Sequence, residues 1–142
     1  MTVAMNAMRS LFLLLLATQT GVELVSVQNA EHYRWGGCCD GWYLVKNDRL
    51  TIIQERMPPG SSETPHLHRA AQQFFYVLEG EATVVIDGKT AVLRTGEGTL
   101  VKPGTVHQVR NSAAKNLLLQ VTSQPPSHAD RVEMSQDNRP HS

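Results

Sequence analysis

The sequence predicts an all-β single domain, a sandwich or barrel of short strands, and three observations carry that expectation. Short runs of alternating or continuous apolar residues recur between residues 42 and 121. Glycine-containing turns separate them at regular spacing, as in closed all-β folds. No helical periodicity of useful length appears after residue 30,. A chain of 142 residues is one domain's worth and long enough to bury a substantial core,. The formal net charge is zero, and no basic stripe of the kind that tracks nucleic acid is present,.

Taken in order, residues 1–21 form an N-terminal extension, residues 22–123 the barrel, and residues 124–142 a polar tail. Met8-Arg9-Ser10 followed by LFLLLLA resembles the charged start and apolar core of an export signal,. The run is too short to span a bilayer. Thr18-Gln19-Thr20-Gly21 lacks a small-x-small cleavage pattern, so a cytoplasmic location is favoured, with export as the alternative. Cys38 and Cys39 are adjacent and give no disulfide framework, which suits a reducing compartment,.

Val22–Val27 alternates well enough for a strand, and Asn29–His32 reads as a turn or loose helical corner. Gly36-Gly37 and Asp40-Gly41 read as turns, with a strand from Trp42 to Val45 and another from Leu50 to Met57,. Further strands are expected at Gln73–Leu78, Ala82–Ile86, Thr90–Leu93, Thr99–Val101, Val106–Arg110 and Leu117–Val121. Asp87-Gly88 is a two-residue hairpin signal,. From Ser123 the chain is polar and aperiodic, and partial disorder is its default,.

Chemistry concentrates in two stretches. In PGSSETPHLHRAAQQFFYVLEG, residues 59–80, His66 and His68 stand two apart, so on an extended strand they share a face and can reach one ion,. Gln73 can add a side-chain oxygen, with Phe75 on its face and Phe74 and Tyr76 on the opposite one. In GEGTLVKPGTVHQVRN, residues 96–111, a Pro103-Gly104 turn leads to His107, a third imidazole.

Together these stretches resemble the two motifs of the cupin superfamily. Gly60, His66, His68 and Gly80 match the first, and Gly96, Gly104, His107 and Asn111 match the second. Gln73 stands where the family usually has glutamate, and Lys102 where it usually has proline. The resemblance implies a double-stranded β-helix, the cupin jelly-roll barrel, with a ligand pocket in one mouth and a tendency to form homodimers. It also implies one divalent transition metal per chain held by His66, His68, Gln73 and His107. Manganese or iron is favoured, with nickel, cobalt or zinc compatible with imidazole and oxygen donors.

An amide in place of a carboxylate keeps the oxygen donor but brings neither charge nor basicity. The ion's double positive charge is then uncompensated, which strengthens it as a Lewis acid toward anionic ligands. The leading expectation is a metal-dependent enzyme acting on a small organic substrate, of the dioxygenase type. A manganese-dependent lyase or isomerase is the alternative, because three histidines and a glutamine resemble the ligand set of bacterial cupin hydroxynitrile lyases. A non-catalytic small-molecule-binding barrel is the rival class.

Weaker candidates are Tyr43, Trp42 and Tyr76 as pocket walls or core, Cys39 near the barrel mouth or as an idle thiol, and Lys46 and Gln54 on strands. Arg110 is expected to face away from His107, Asn111 to fix the turn after the last histidine strand, and His32, His128 and His141 to be solvated.

Overall fold

The computed structural model describes residues 21–135. The export-like segment and His141 lie outside the described residues. Among the described residues every element is a strand: β1 (Glu31–Trp35), β2 (Cys39–Lys46), β3 (Thr51–Met57), β4 (His66–His68), β5 (Gln72–Glu79), β6 (Glu81–Ile86), β7 (Lys89–Arg94), β8 (Gly98–Val101), β9 (His107–Arg110), β10 (Leu117–Gln124) and β11 (Arg131–Glu133). They form a six-stranded sheet in the order β1-β2-β3-β10-β5-β8 and a five-stranded sheet in the order β11-β4-β9-β6-β7. All pairings are antiparallel. This is the expected jelly roll.

Strand alternation builds the interior. On β10 the inward residues are Leu117, Leu119, Val121 and Ser123, and on β5 they are Gln73, Phe75 and Val77. Met57, Val77, Leu117 and Leu119 are fully buried and pack with Ala82, Val84, Leu93 and Val109 from the second sheet. Phe74 and Leu100 face outward on paired β5 and β8, as the alternation around Gln73 predicts. Asp87-Gly88 is the two-residue hairpin between β6 and β7, with φ of 51° and 74°. Positive φ at both central positions matches the right-handed twist of the flanking strands.

Expectations for three segments of the chain are corrected. Val22–Val27 is not a strand: its side chains are exposed, and Ser26 to Ala30 closes on itself as a local turn, with Ser26 N donating to Asn29 Oδ1 at 2.7 Å. Glu31–Trp35, read partly as a turn, is strand β1 instead, because the reversal falls at Gly36-Gly37 and folds it onto β2. Asp40-Gly41 is accordingly inside β2, not a turn. Gly41 answers a close approach: a Cβ there would lie 2.2 Å from Tyr33 Cζ,.

The third correction concerns the polar tail. Arg131–Glu133 is strand β11, which pairs with β4 in the register Arg131↔His68, Val132↔Leu67, Glu133↔His66. The segment is anchored by Asp130, whose carboxylate accepts hydrogen bonds from the amides of Arg69, Ala70 and Ala71 at 2.8–3.1 Å. Contacts some sixty residues apart order a stretch that has no local signal of its own.

Candidate metal centre

β4 carries His66 and His68 on one face, and β9 places His107 directly across from His66 in the ladder. All three are buried. Their ring centroids are 4.3–5.6 Å apart, and one nitrogen from each lies within 4.8 Å of the others. Gln73 approaches from the opposite sheet, its Oε1 2.9 Å from His107 Nε2. The structure thus brings together all four residues singled out in the sequence.

The ring orientations are fixed by backbone. His66 Nδ1 lies 2.8 Å from the carbonyl of Thr64, and His107 Nδ1 lies 2.9 Å from that of Thr105. In each case the carbonyl requires an N–H on Nδ1, which leaves Nε2 with a lone pair aimed inward. Burial, chiefly, pushes His66 down to about 3 and His68 down to about 4, and lowers His107 as well. The imidazoles are therefore neutral at physiological pH, the form that ligates metals.

Two features fit a cation. Among the described residues neither ring nitrogen of buried His68 has a hydrogen-bond partner, a costly arrangement for a polar group unless a ligand satisfies it,. His107 Nε2 and Gln73 Oε1 face one another as two acceptors, which a shared positive ion would satisfy,. Gln73 is held from behind, its Nε2 donating to Ser123 Oγ at 3.0 Å and Ser127 Oγ at 3.3 Å. A three-histidine group of this geometry could hold a divalent metal ion,.

The centre opens into a cavity of about 400 Å³ lined by both sheets. His66, His68 and Gln73 are on its wall, with Phe75, Ile53 and Val121 as apolar lining and Arg131 at one side. Arg131 Nη1 lies 3.4 Å from His66 Nε2. Tyr33, Glu55 and Glu63 complete the wall. Sequence reasoning missed Tyr33, Glu55, Glu63, Ser127 and Arg131. Only Glu55 carried a signal, since it shares the phase of Ile53 and Met57 on its strand.

Among the weaker candidates, Tyr43 does line the cavity, and exposed His128 lies on its rim instead of standing clear of it. Trp42 packs outside against His32 and Arg56. His32 is itself tied to Asp40 at 2.8 Å. Cys39 is buried in the core, where burial pushes its thiol up to about 11. Lys46 pairs with Glu31 at 2.9 Å. Asn111 fixes its turn as expected: Nδ2 donates to the carbonyls of Met57 and Lys115, both at 2.8 Å, and Oδ1 accepts from Ala113 N.

A jelly roll with histidines converging from two adjacent strands into an open pocket is a barrel of the cupin kind in which a three-histidine group could hold a metal ion. The cupin domain family matches residues 53–122, and the chain belongs to the cupin superfamily. It is 30% identical over 87 residues to the pectin degradation protein KdgF of Dickeya dadantii, covering 61% of this chain and 77% of that one. It is 29% identical over 73 residues to an oxalate-binding protein of Thermotoga maritima, covering 51% and 60% of the two chains. Among solved structures, an RmlC-like cupin from Shewanella frigidimarina superposes with a TM-score of 0.68 at 26% identity, over 76% of this chain and 95% of the other. Among the described residues, no helix is long and apolar enough to cross a membrane.

Proposed function

We propose that this cupin is a metal-dependent enzyme acting on a small organic anion by redox-neutral chemistry, of the lyase or isomerase kind. The observation that carries the reading is the charge of the site: three neutral imidazoles and an amide converge, no carboxylate joins them among the described residues, and Arg131 stands beside His66. His66, His68 and His107 would hold the ion with Gln73 as fourth ligand, and manganese is the preferred occupant. When bound there, the ion would act as a Lewis acid on a substrate oxygen.

The chain's own residues supply the rest. Arg131 offers a planar pair of donors suited to a carboxylate. Ser123 and Ser127 hold Gln73 in place, and because hydroxyls both donate and accept, they serve either orientation of its amide,. Phe75, Ile53 and Val121 limit water on the apolar wall. A relative named for oxalate binding is in keeping with an anionic ligand.

A three-histidine site also suits iron and dioxygen, so the dioxygenase reading stands second. The discriminating experiment loads the protein with Mn(II) or Fe(II) and assays a panel of hydroxy acids and cyanohydrins with simultaneous oxygen measurement. Turnover in the manganese form without oxygen uptake is expected. Oxygen uptake matched to substrate loss in the iron form alone would replace this reading with a dioxygenase. A protein that binds anions at the metal but converts none of them would be the binding module. The homodimer implied by the family resemblance is supported by the outward-facing Phe74 and Leu100, and sedimentation would test it.

A further inference from the structure

The six-stranded sheet carries a second constellation on the cavity wall, not used by the histidines. Glu55 sits on the inward phase of β3 between Ile53 and Met57 and is 8% exposed. The Tyr33 hydroxyl donates to its Oε1 at 3.0 Å, and Oε2 makes no hydrogen bond among the described residues. Tyr33, Gly41 and Glu55 form one row across β1, β2 and β3. Only a glycine at position 41 lets the Tyr33 ring lie over β2 and deliver its hydroxyl to the carboxyl.

Burial first, then the neighbouring charge of Glu63, push Glu55 up to about 8. A carboxyl with one oxygen engaged and the other free in a cavity has the placement required of a proton-transfer group.

We infer that Glu55, positioned by Tyr33, is the catalytic acid–base of this cavity and exchanges a proton with the organic anion bound at the three-histidine centre. The inference rests on the functional reading above. In the step, the Glu55 O–H bond breaks as a substrate lone pair forms a new O–H or C–H bond. The resulting carboxylate then takes a proton from a neighbouring substrate position, which restores the acid. Protons and electrons balance with no oxidant.

The titratable and charged groups that interact with Glu55 are Tyr33 from β1, Cys39 from β2, Glu63 from the segment before β4 and Arg131 from β11; Tyr43, His66, His68, His128 and Glu133 line the same cavity. β10 contributes apolar Leu119 opposite it. Glu63, which burial pushes up to about 7, is the one that titrates nearest, and it needs its own control.

Two measurements test the role. Infrared difference spectra of metal-free wild type against Glu55→Gln at pH 7 are expected to show a protonated-carboxyl carbonyl band lost in the variant. No such band overturns the inference. Manganese-loaded protein is then titrated calorimetrically with tartrate, a diacid with a carboxylate at each end, near pH 8 in buffers of different ionisation enthalpy. The bound anion offsets the ion's charge and raises Glu55 again, so wild type should take up as much as about one proton per tartrate. Glu55→Gln should take up almost none, Tyr33→Phe should fall between, and Glu63→Gln, which removes one charge that raises Glu55 but leaves its carboxyl in place, should still take up clearly more than Glu55→Gln. Equal uptake in wild type and Glu55→Gln overturns the inference while leaving anion binding intact. A wild type that binds manganese but no tartrate, or no manganese, overturns the functional reading itself and this role with it.

Discussion

The two ends of the barrel interior are built by the same alternation and do opposite things. Along β10 the inward residues run Leu117, Leu119, Val121, Ser123; along β5 they run Val77, Phe75, Gln73. At one end, aliphatic side chains close against Ala82 and Leu93 of the second sheet. At the other, hydroxyls and an amide meet three histidines and an open cavity. Stability and polar chemistry are therefore largely separate here: removing water stabilises one end, and polar groups that could hold an ion line the other. Glu55 crosses the boundary, a carboxyl in register with Leu119 on the adjoining strand.

The separation can be broken from either end. His66→Ala or His107→Ala should abolish metal binding completely, measured as metal per folded chain, while the metal-free variants still unfold cooperatively. Truncation there enlarges an existing cavity and seals no new void. Leu119→Ala should do the reverse, costing about 2–5 kcal/mol of unfolding free energy in urea while metal per folded chain stays at the wild-type level. Loss of metal in Leu119→Ala equal to that in His66→Ala would show that the two ends are coupled.

Glu55 sharpens the boundary through pH. Its folded pKa, about 8, lies above the ordinary carboxylate value of 4.5, so the folded state binds more protons between them. Stability therefore falls as pH rises through that window. The histidines act oppositely: His66 and His68 are pushed down to about 3 and about 4, so the unfolded chain binds more protons from there up to 6.5 and stability rises with pH. Above 6.5 the histidine contribution is spent. Metal-free wild type should then lose melting temperature from about pH 6.5 to 8.5, and Glu55→Gln should lose much less. Parallel curves would show that Glu55 ionises normally.

The smallest expected effect is at Asp130. Asp130→Ala removes the acceptor for three amides that tie β11 to the loop after β4. The melting temperature should drop only slightly, but a chelator should strip the ion faster than from wild type. Unchanged kinetics would mean that β11 holds its place without that anchor.

How much of this was legible in the sequence follows the range of the interactions. Spacing put His66 and His68 on one face of a strand, and the resemblance to the two cupin motifs brought Gln73 and His107 to them. The β6–β7 hairpin was readable because two residues determine its turn. Val22–Val27 misled because alternation also occurs in segments that find no partner strand. Gly41 looked like a turn residue because its reason for being glycine is the Tyr33 ring from another strand. Arg131 was invisible: a three-residue strand with one apolar side chain is ordered by amides about sixty residues away. Glu55 was visible only as a phase, and its meaning depended on Tyr33, which lies in a stretch read partly as a turn.

The proposed mechanism begins with a metal site at the histidine end of the barrel. Elemental mass spectrometry on untagged protein, normalised per chain, tests it most directly. A metal site there predicts about one divalent transition metal per wild-type chain and essentially none in His66→Ala or His107→Ala. A wild-type protein that is metal-free as purified and stays metal-free after reconstitution with manganese, iron, nickel, cobalt and zinc would contradict it.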